Sequence, residues 1–171
     1  GYGNRQFENT DSLFLKKRRV IDKGNTEVVA EYIKEMTGAD VFRIMPDKEY
    51  EKIQDYDELV ELTRIEHEND ERPTFNGKIN DIGKYDTIFI GSPIWWYTFP
   101  QVMYTFLDSY DLNGKTIIPF TTHEGSGLAD VVEVLRKYYP NATVAEGLAI
   151  RGRDAVKSKG KVVRWLEKTG F

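Results

Sequence analysis

A short apolar segment followed by a cluster of aromatic residues, at positions 85–100, constrains the fold more than any other part of the chain. Residues 87–90 are β-branched or aromatic without polar alternation, which predicts a strand buried on both faces of a sheet. The Gly-Ser-Pro sequence at 91–93 is expected to end this strand, because proline has no N–H to donate. Two tryptophans and a tyrosine then fall on a loop. Such rings either pack under a neighbouring helix or lie against a flat ligand.

Strand-like and helix-like segments alternate along the rest of the chain, which predicts βαβ crossovers, a parallel sheet and therefore the α/β class. The expected strands cover residues 41–44, 85–91, 115–120 and 142–150, and the expected helices begin at residue 25 and cover 56–68, about 100–109, about 129–138 and 158–168. Residues 1–12 are expected to form a loose arm. Residues 13–22 make a poor strand, because four consecutive cations occupy positions 16–19.

Composition narrows the classes of function. The 171 residues predict a single domain, and the net charge of −4 argues against nucleic-acid binding. There is no cysteine and there are only two histidines, so thiolate chemistry and a histidine-rich metal centre are excluded. No apolar segment reaches 18 residues, so we expect a cytoplasmic protein that does not contact a membrane.

Three loops of glycine, hydroxyl or aromatic residues, at 23–26, 92–97 and 121–127, follow strands of the predicted sheet. The carboxyl ends of parallel strands meet at one edge, where open α/β folds bind their ligands, so the loops indicate a single site. Residues 24–26 begin a helix and favour a phosphate, although Asn and Thr are also ordinary helix caps. Residues 122–127 offer hydrogen bonds to the polar edge of a ring, or form only a solvated turn.

In combination, these motifs resemble those of the flavodoxin-like flavoproteins. The quoted segments are Gly-Asn-Thr at 24–26, Gly-Ser-Pro-Ile-Trp-Trp at 91–96, Tyr-Thr-Phe-Leu at 104–107 and Thr-His-Glu-Gly-Ser-Gly at 122–127. They are most similar to the bacterial branch with a PxWW loop and a TH-x-GSG loop, over residues 24–171. The resemblance implies a short-chain flavodoxin: a five-stranded parallel sheet of order 2-1-3-4-5 between two helical layers, with one FMN bound.

The resemblance also implies a set of cofactor-binding residues in three groups, and it requires no catalytic side chain and no metal. The FMN phosphate would be held by Gly24, Asn25 and Thr26. The isoalloxazine ring would be flanked by Pro93, Ile94, Trp95, Trp96 and Tyr97, with Trp95 or Trp96 stacked on it. Its other side and pyrimidine edge would be contacted by Thr122, His123, Glu124, Gly125, Ser126 and Gly127.

The chain departs from the family pattern in its first strand, which is atypical. Ile21 and Lys23 stand where relatives have hydroxyl residues, and Asp22 would lie near the phosphate. Three functions therefore stay open: an electron-transfer protein, an FMN-dependent NAD(P)H:quinone or nitro-type reductase (an oxidoreductase), and a domain that has lost FMN binding. The expected partner is a redox protein or else NAD(P)H or a quinone, and the chain is expected to be a monomer or a homodimer.

Overall fold

The computed structural model describes residues 24–171. The α-helices in that range are α1 (Asn25–Thr37), α2 (Tyr56–Glu68), α3 (Gln101–Ser109), α4 (Val131–Tyr138) and α5 (Lys159–Lys168). The strands are β1 (Met45–Pro46), β2 (Phe75–Asn76), β3 (Thr87–Pro93), β4 (Thr116–His123), β5 (Thr143–Val144) and β6 (Leu148–Arg151). Short 3₁₀ helices cover Tyr50–Lys52, Ile82–Lys84 and Gly152–Lys157.

A parallel sheet formed by β3, β4, β5 and β6 is the centre of the fold. β3 pairs with β4 over seven residues and ends at Pro93, the proline expected to stop it. β5 and β6 both pair with β4 and together take the place of the single strand predicted at 142–150. The observed order therefore confirms the 3-4-5 part of the predicted sheet. The predicted first strand, at residues 13–22, and the loose arm at 1–12 lie outside the described residues.

Pro119 explains why the last strand is split in two. This residue lies inside β4 and is paired with Ile90 on the β3 side. Towards the other neighbour it has no N–H to donate. The break between β5 and β6 falls opposite it: a Cβ atom added to Gly147 would lie 3.2 Å from the carbonyl oxygen of Pro119. The chain therefore passes close to β4 there without continuing the ladder.

Helices cover both faces of the sheet. Successive residues of β4 point to opposite faces and show which helices lie on each. Ile117 is fully buried in a cluster with residues of α3 and α4. Its neighbour Ile118 is buried in a second cluster with residues of α1 and α5. This arrangement confirms the predicted α/β sandwich of three layers.

One predicted strand differs from the structure. Residues 41–44 are not assigned as a strand, and the neighbouring Met45–Pro46 instead pairs in an antiparallel fashion with Phe75–Asn76. A local apolar pattern does not reveal a partner 29 or 31 residues away, which is why this ladder was not expected. No helix within residues 24–171 has both the length and the apolar character needed to cross a membrane.

Candidate functional site

Two of the three predicted loops meet at the carboxyl edge of the sheet. Ser92 and Pro93 at the end of β3 pair with Thr121 and Thr122 at the end of β4. The start of α1 joins the same edge, because the hydroxyl oxygens of Thr26 and Thr122 lie 2.6 Å apart. Residues separated by 96 positions in the sequence are thereby held together.

The beginning of α1 keeps its first N–H groups outside the helical hydrogen bonds. Gly24 is the N-cap, in an extended conformation, and the first helical bond runs from the N–H of Val28 to its carbonyl oxygen, at 3.1 Å. Gly24 has no side chain with which to cap this end. Thr26 bonds to Thr122 instead of serving as the cap, so the simple capping interpretation of residues 24–26 is not what the structure shows. An N-terminus of this kind favours a negative charge.

The aromatic loop forms a two-residue reverse turn. The N–H of Trp95 donates to the carbonyl of Thr98 at 3.0 Å, and the N–H of Thr98 donates back at 3.3 Å. Trp96 and Tyr97, between them, have φ values of +56° and +63°. These are the φ signs of a type I′ turn, which normally contains Asn and Gly, because left-handed backbone costs other residues about 1–2 kcal/mol each. The turn is therefore strained, and strain of this kind concentrates at functional sites.

The three rings of the turn have different surroundings. Trp95 is only 5% exposed and meets Tyr50 edge to face, with the ring centres 5.9 Å apart. Trp96 stacks on His67 of α2 at 6.5 Å, and its indole N–H donates to Thr63 at 3.2 Å. Tyr97 is half exposed. The two indoles thus pack on neighbouring elements, the first of the two interpretations of this loop, and their stacking on a flavin stays a prediction.

A buried carboxylate binds Tyr50, the residue whose ring packs against Trp95. Glu66 of α2 is 2% exposed and accepts hydrogen bonds from the hydroxyl of Tyr50 at 2.9 and 3.0 Å. Lys48 donates to the same carboxylate at 2.5 Å. Burial, together with the nearby charge of Glu66, raises the pKa of Tyr50 far above its ordinary value, so the phenol keeps its proton. This group could not be predicted from the sequence, because its members come from separate elements.

The loop that follows β4 is built around a half-buried histidine. The Nδ1 atom of His123 is shielded from solvent and has no hydrogen-bond partner among the residues of the described chain. Burial lowers the pKa of His123, and the charges of Arg151 and Lys161 lower it further, so the imidazole is neutral near pH 7. Arg151 also donates to the carbonyl oxygen of Glu124 at 2.9 Å.

The glycines of this loop have backbone conformations that suit glycine, and open space around them. Gly125 and Gly127 have φ values of +154° and +61°, and a Cβ atom on either would meet no heavy atom of residues 24–171 within 4 Å. The carbonyl of Gly127 accepts from the hydroxyl of Thr121 at 2.9 Å, and the carbonyl of Ser126 accepts from the N–H of Ala129 at 3.0 Å. The loop is therefore held at its far end while its glycines face open space.

A cavity of about 770 Å³ beside the turn was not predicted from the sequence. Of the predicted site residues, only Trp96 and Tyr97 line it. The others that line it are His67, Asp70, Arg72, Thr98, Gln101, Tyr104, Asp130, Val134, Lys137 and Tyr138. The sequence does contain a signal for part of this lining. Positions 130, 134, 137 and 138, in α4 and at its N-cap, follow the spacing of one helical face.

Comparisons with known proteins agree with this architecture. The sequence model of the flavodoxin family matches residues 20–169. A solved protein from Bacteroides eggerthii DSM 20697, inferred to be a flavoprotein, is 30% identical, with a TM-score of 0.73 over 86% of this chain and 91% of that chain. Another from Bacteroides uniformis ATCC 8492, also inferred to be a flavoprotein, is 30% identical, with a TM-score of 0.72 over 83% and 90% of the two chains.

A third solved structure shares the fold at lower identity. It is a flavoprotein from Lactobacillus acidophilus NCFM in complex with FMN, 20% identical, with a TM-score of 0.59 over 77% of this chain and 89% of that chain. No curated protein sequence matches the chain. The family match covers most of the chain and includes all three candidate loops.

Proposed function

Because the chain belongs to the flavodoxin family, we propose that it binds one FMN at the carboxyl edge of β3 and β4 and transfers electrons through it. The hydrogen bond between Thr26 and Thr122 is the main support, since it brings the start of α1 to the end of β4. FMN is long enough to need both a phosphate site and a ring site. The start of α1 would provide the phosphate site, and the loops after β3 and β4 would provide the ring site. The FMN held by the Lactobacillus acidophilus flavoprotein supports the same ligand.

The residues at this edge fit FMN in their chemistry. The first N–H groups of α1 suit the phosphate dianion. The unpartnered Nδ1 of His123 suits the polar edge of the flavin ring, which carries both donors and acceptors. No atom of the described part of the chain crowds Gly125 or Gly127, which lets a ring approach the backbone closely.

Each predicted group of residues then has one task. Gly24, Asn25 and Thr26 hold the phosphate, and the backbone from Pro93 to Tyr97 covers one side of the ring. The loop from Thr122 to Gly127 binds the other side and the pyrimidine edge. FMN supplies the redox chemistry when bound, while the chain binds it, orients it and limits its exposure to water.

A titration of the apo-protein with FMN, followed by quenching of flavin fluorescence, tests this function. We expect saturable one-to-one binding, with riboflavin bound more weakly because it lacks the phosphate. Thr26→Val should weaken FMN binding by about 10- to 150-fold, since a hydrogen bond to a charged group contributes about 1.5–3 kcal/mol, and should change riboflavin binding much less. Thr143→Val is the matched control, because this threonine is exposed on β5, far from the proposed contacts. Absence of quenching would withdraw the function.

A reductase is the second candidate, because the cavity beside the turn provides room for a small molecule. A carrier needs only an exposed flavin edge for a partner protein, whereas a reductase needs a pocket for NAD(P)H or a quinone. Steady oxidation of NAD(P)H by the FMN-loaded protein would select the reductase. Reduction only through a partner protein would select the carrier.

A further inference from the structure

The cavity lies where three elements approach one another. The reverse turn contributes Trp96, Tyr97 and Thr98, α3 contributes Gln101 and Tyr104, and α4 contributes one helical face, with the segment that follows α2 completing the lining. The strained residues of the turn are thus part of its wall. A space of this size holds a bicyclic or substituted aromatic molecule.

A directed chain of hydrogen bonds runs through the wall. The hydroxyl of Thr98 donates to Oδ2 of Asp130 at 3.0 Å, and its oxygen lies 2.5 Å from the hydroxyl oxygen of Tyr104. Thr98 has a single hydroxyl proton, which it gives to Asp130, so Tyr104 must be the donor in the other contact. Burial raises the pKa of Tyr104, which keeps this phenol protonated. The series of hydrogen bonds therefore runs from Tyr104 through Thr98 to the carboxylate of Asp130.

The carboxylate of Asp130 is left half satisfied. Its Oδ1 atom is shielded from solvent and accepts no hydrogen bond from residues 24–171. Asp130 is the N-cap residue of α4, a position where aspartate usually bonds to the helix, yet its side chain makes no such bond. A shielded acceptor without a donor is costly, so a ligand that brings an N–H or O–H group to Oδ1 would remove this cost.

The charges and rings of the lining indicate what else the ligand must be. The lining carries Asp70 and Asp130 together with Arg72 and Lys137. Arg72 is already paired with Asp70 at 2.7 Å and with Asp108, outside the lining, at 2.6 Å, so the cavity favours no charged ligand. The centres of the Tyr104 and Tyr138 rings lie 6.2 Å apart. The guanidinium of Arg72 lies over the ring of Tyr104, 5.3 Å from the centre of that ring. Flat polarisable walls of this kind favour a flat ring.

We propose that this cavity binds an uncharged aromatic ring bearing an N–H or O–H donor at its edge, with Asp130 as the acceptor. A nicotinamide carboxamide and a hydroquinone hydroxyl share this chemistry, whereas an oxidised quinone presents only acceptors. The role of such a ring as the electron donor of a reductase rests on the proposed function, while its binding depends on the cavity alone.

Two matched pairs of probes test the binding by NMR titration of the purified, isotope-labelled chain. Nicotinamide is compared with methyl nicotinate, and hydroquinone, under anaerobic conditions, with 1,4-dimethoxybenzene; each second member keeps the ring and loses the donor. We expect the donor-bearing member of at least one pair to bind about tenfold more tightly, with shifts at the amides of Thr98 and Asp130. A difference within the nicotinamide pair identifies a carboxamide N–H as the preferred donor, and a difference within the hydroquinone pair identifies a phenolic O–H. Equal binding within both pairs, or no binding by any probe, would overturn the proposal.

Asp130→Ala gives a second, independent measurement. It should remove the preference for the donor-bearing probe and leave the donor-free probe unchanged, whereas Glu133→Gln, an exposed carboxylate on the same helix, should preserve the preference. If Asp130→Ala weakens both members of a pair equally, the acceptor role is wrong. Repeating the titrations with FMN separates the two proposals: probe binding without FMN binding withdraws only the proposed function, and FMN binding without probe binding withdraws only the cavity ligand.

Discussion

Trp96 and Tyr97 adopt backbone conformations that their side chains disfavour, and this is a property of individual residues rather than of the fold. Tyr97, at φ +63°, has a half-exposed ring. The two hydrogen bonds that close the turn between Trp95 and Thr98 help to offset the backbone strain. Glycine at position 97 would remove most of it.

We therefore predict that Tyr97→Gly is more stable than Tyr97→Ala by about 1 kcal/mol. Both variants lose the ring, but alanine keeps the Cβ atom that makes left-handed backbone costly. Urea unfolding of the two purified variants measures the difference in the free energy of unfolding. Equal stabilities, or a more stable alanine variant, would show that the left-handed backbone at this position carries no cost.

His123 makes the stability of the protein depend on pH in a defined direction. Burial, aided by Arg151 and Lys161, lowers its pKa in the folded chain below the ordinary value of 6.5. The unfolded chain therefore binds more protons than the folded one between the two pKa values. The contribution of His123 is complete above about pH 6.5 and is lost as the pH falls towards the pKa of the folded state.

We predict that His123→Gln removes part of the decline in the free energy of unfolding between pH 7.5 and pH 5, because glutamine does not titrate. Denaturant unfolding at several pH values measures the decline in both proteins. An NMR titration of the imidazole in the native protein is the direct check. A pKa for His123 at or above 6.5 would contradict the prediction.

At the scale of single residues, the sequence indicated the loops that meet at the sheet edge, and it did not indicate the helical residues that line the cavity. Thr122 and Thr26 were predicted because glycine and hydroxyl residues cluster at strand ends. Asp130 and Tyr104 were not, because a helical carboxylate or phenol resembles an ordinary surface or core residue. Their roles arise only when α3 and α4 are packed side by side.

Among the elements, β3 and β4 pack through a contact that requires glycine. A Cβ atom added to Gly91 of β3 would lie 2.0 Å from the ring of Phe120 on β4, to which Gly91 is directly paired. Real atoms do not approach so closely, and the ring is itself buried. The two strands therefore depend on one another at this pair.

We predict that Gly91→Ala lowers the free energy of unfolding by about 1–3 kcal/mol, the usual cost of overpacking. Gly83→Ala is the matched control, because the nearest atom that a Cβ atom there would meet within residues 24–171 is Oδ1 of Asp81, at 3.7 Å. Phe120→Leu should restore part of the loss, so that the double variant is more stable than the sum of the two single changes. Additive effects in chemical denaturation would show that this contact is not the cause.

Elements with a strong local signal were predicted well, and those set by distant partners were not. The helix expected at residues 56–68 has those bounds, and it is capped by Asp55, whose carboxylate accepts from the N–H of Asp57 at 2.9 Å. The gap between β5 and β6 was missed, because the cause is Pro119 on the adjacent strand. The β1–β2 pair was missed for a similar reason, since its register depends on residues 29 and 31 positions apart.

At the scale of the whole molecule, the candidate site joins segments from opposite layers. α1 packs on one face of the sheet and α3 and α4 on the other, and their beginnings meet the ends of β3 and β4 at one edge. This convergence was predictable, because parallel strands connected by helices all bring their following loops to the same edge. A ligand bound across the edge would hold both layers together.

FMN should therefore stabilise the entire domain and not only the loops that contact it. By mass action, a ligand at 100 times its dissociation constant adds about 2.7 kcal/mol to the free energy of unfolding. We predict that the thermal unfolding midpoint rises with the logarithm of the FMN concentration, and that riboflavin gives a smaller rise at equal concentration because it lacks the phosphate. Thr26→Val should shift the FMN curve to higher concentrations, whereas Thr143→Val should not. A midpoint that does not change with FMN would mean that the ligand does not bind the folded chain, and the resemblance of these loops to a flavin site would then be structural alone.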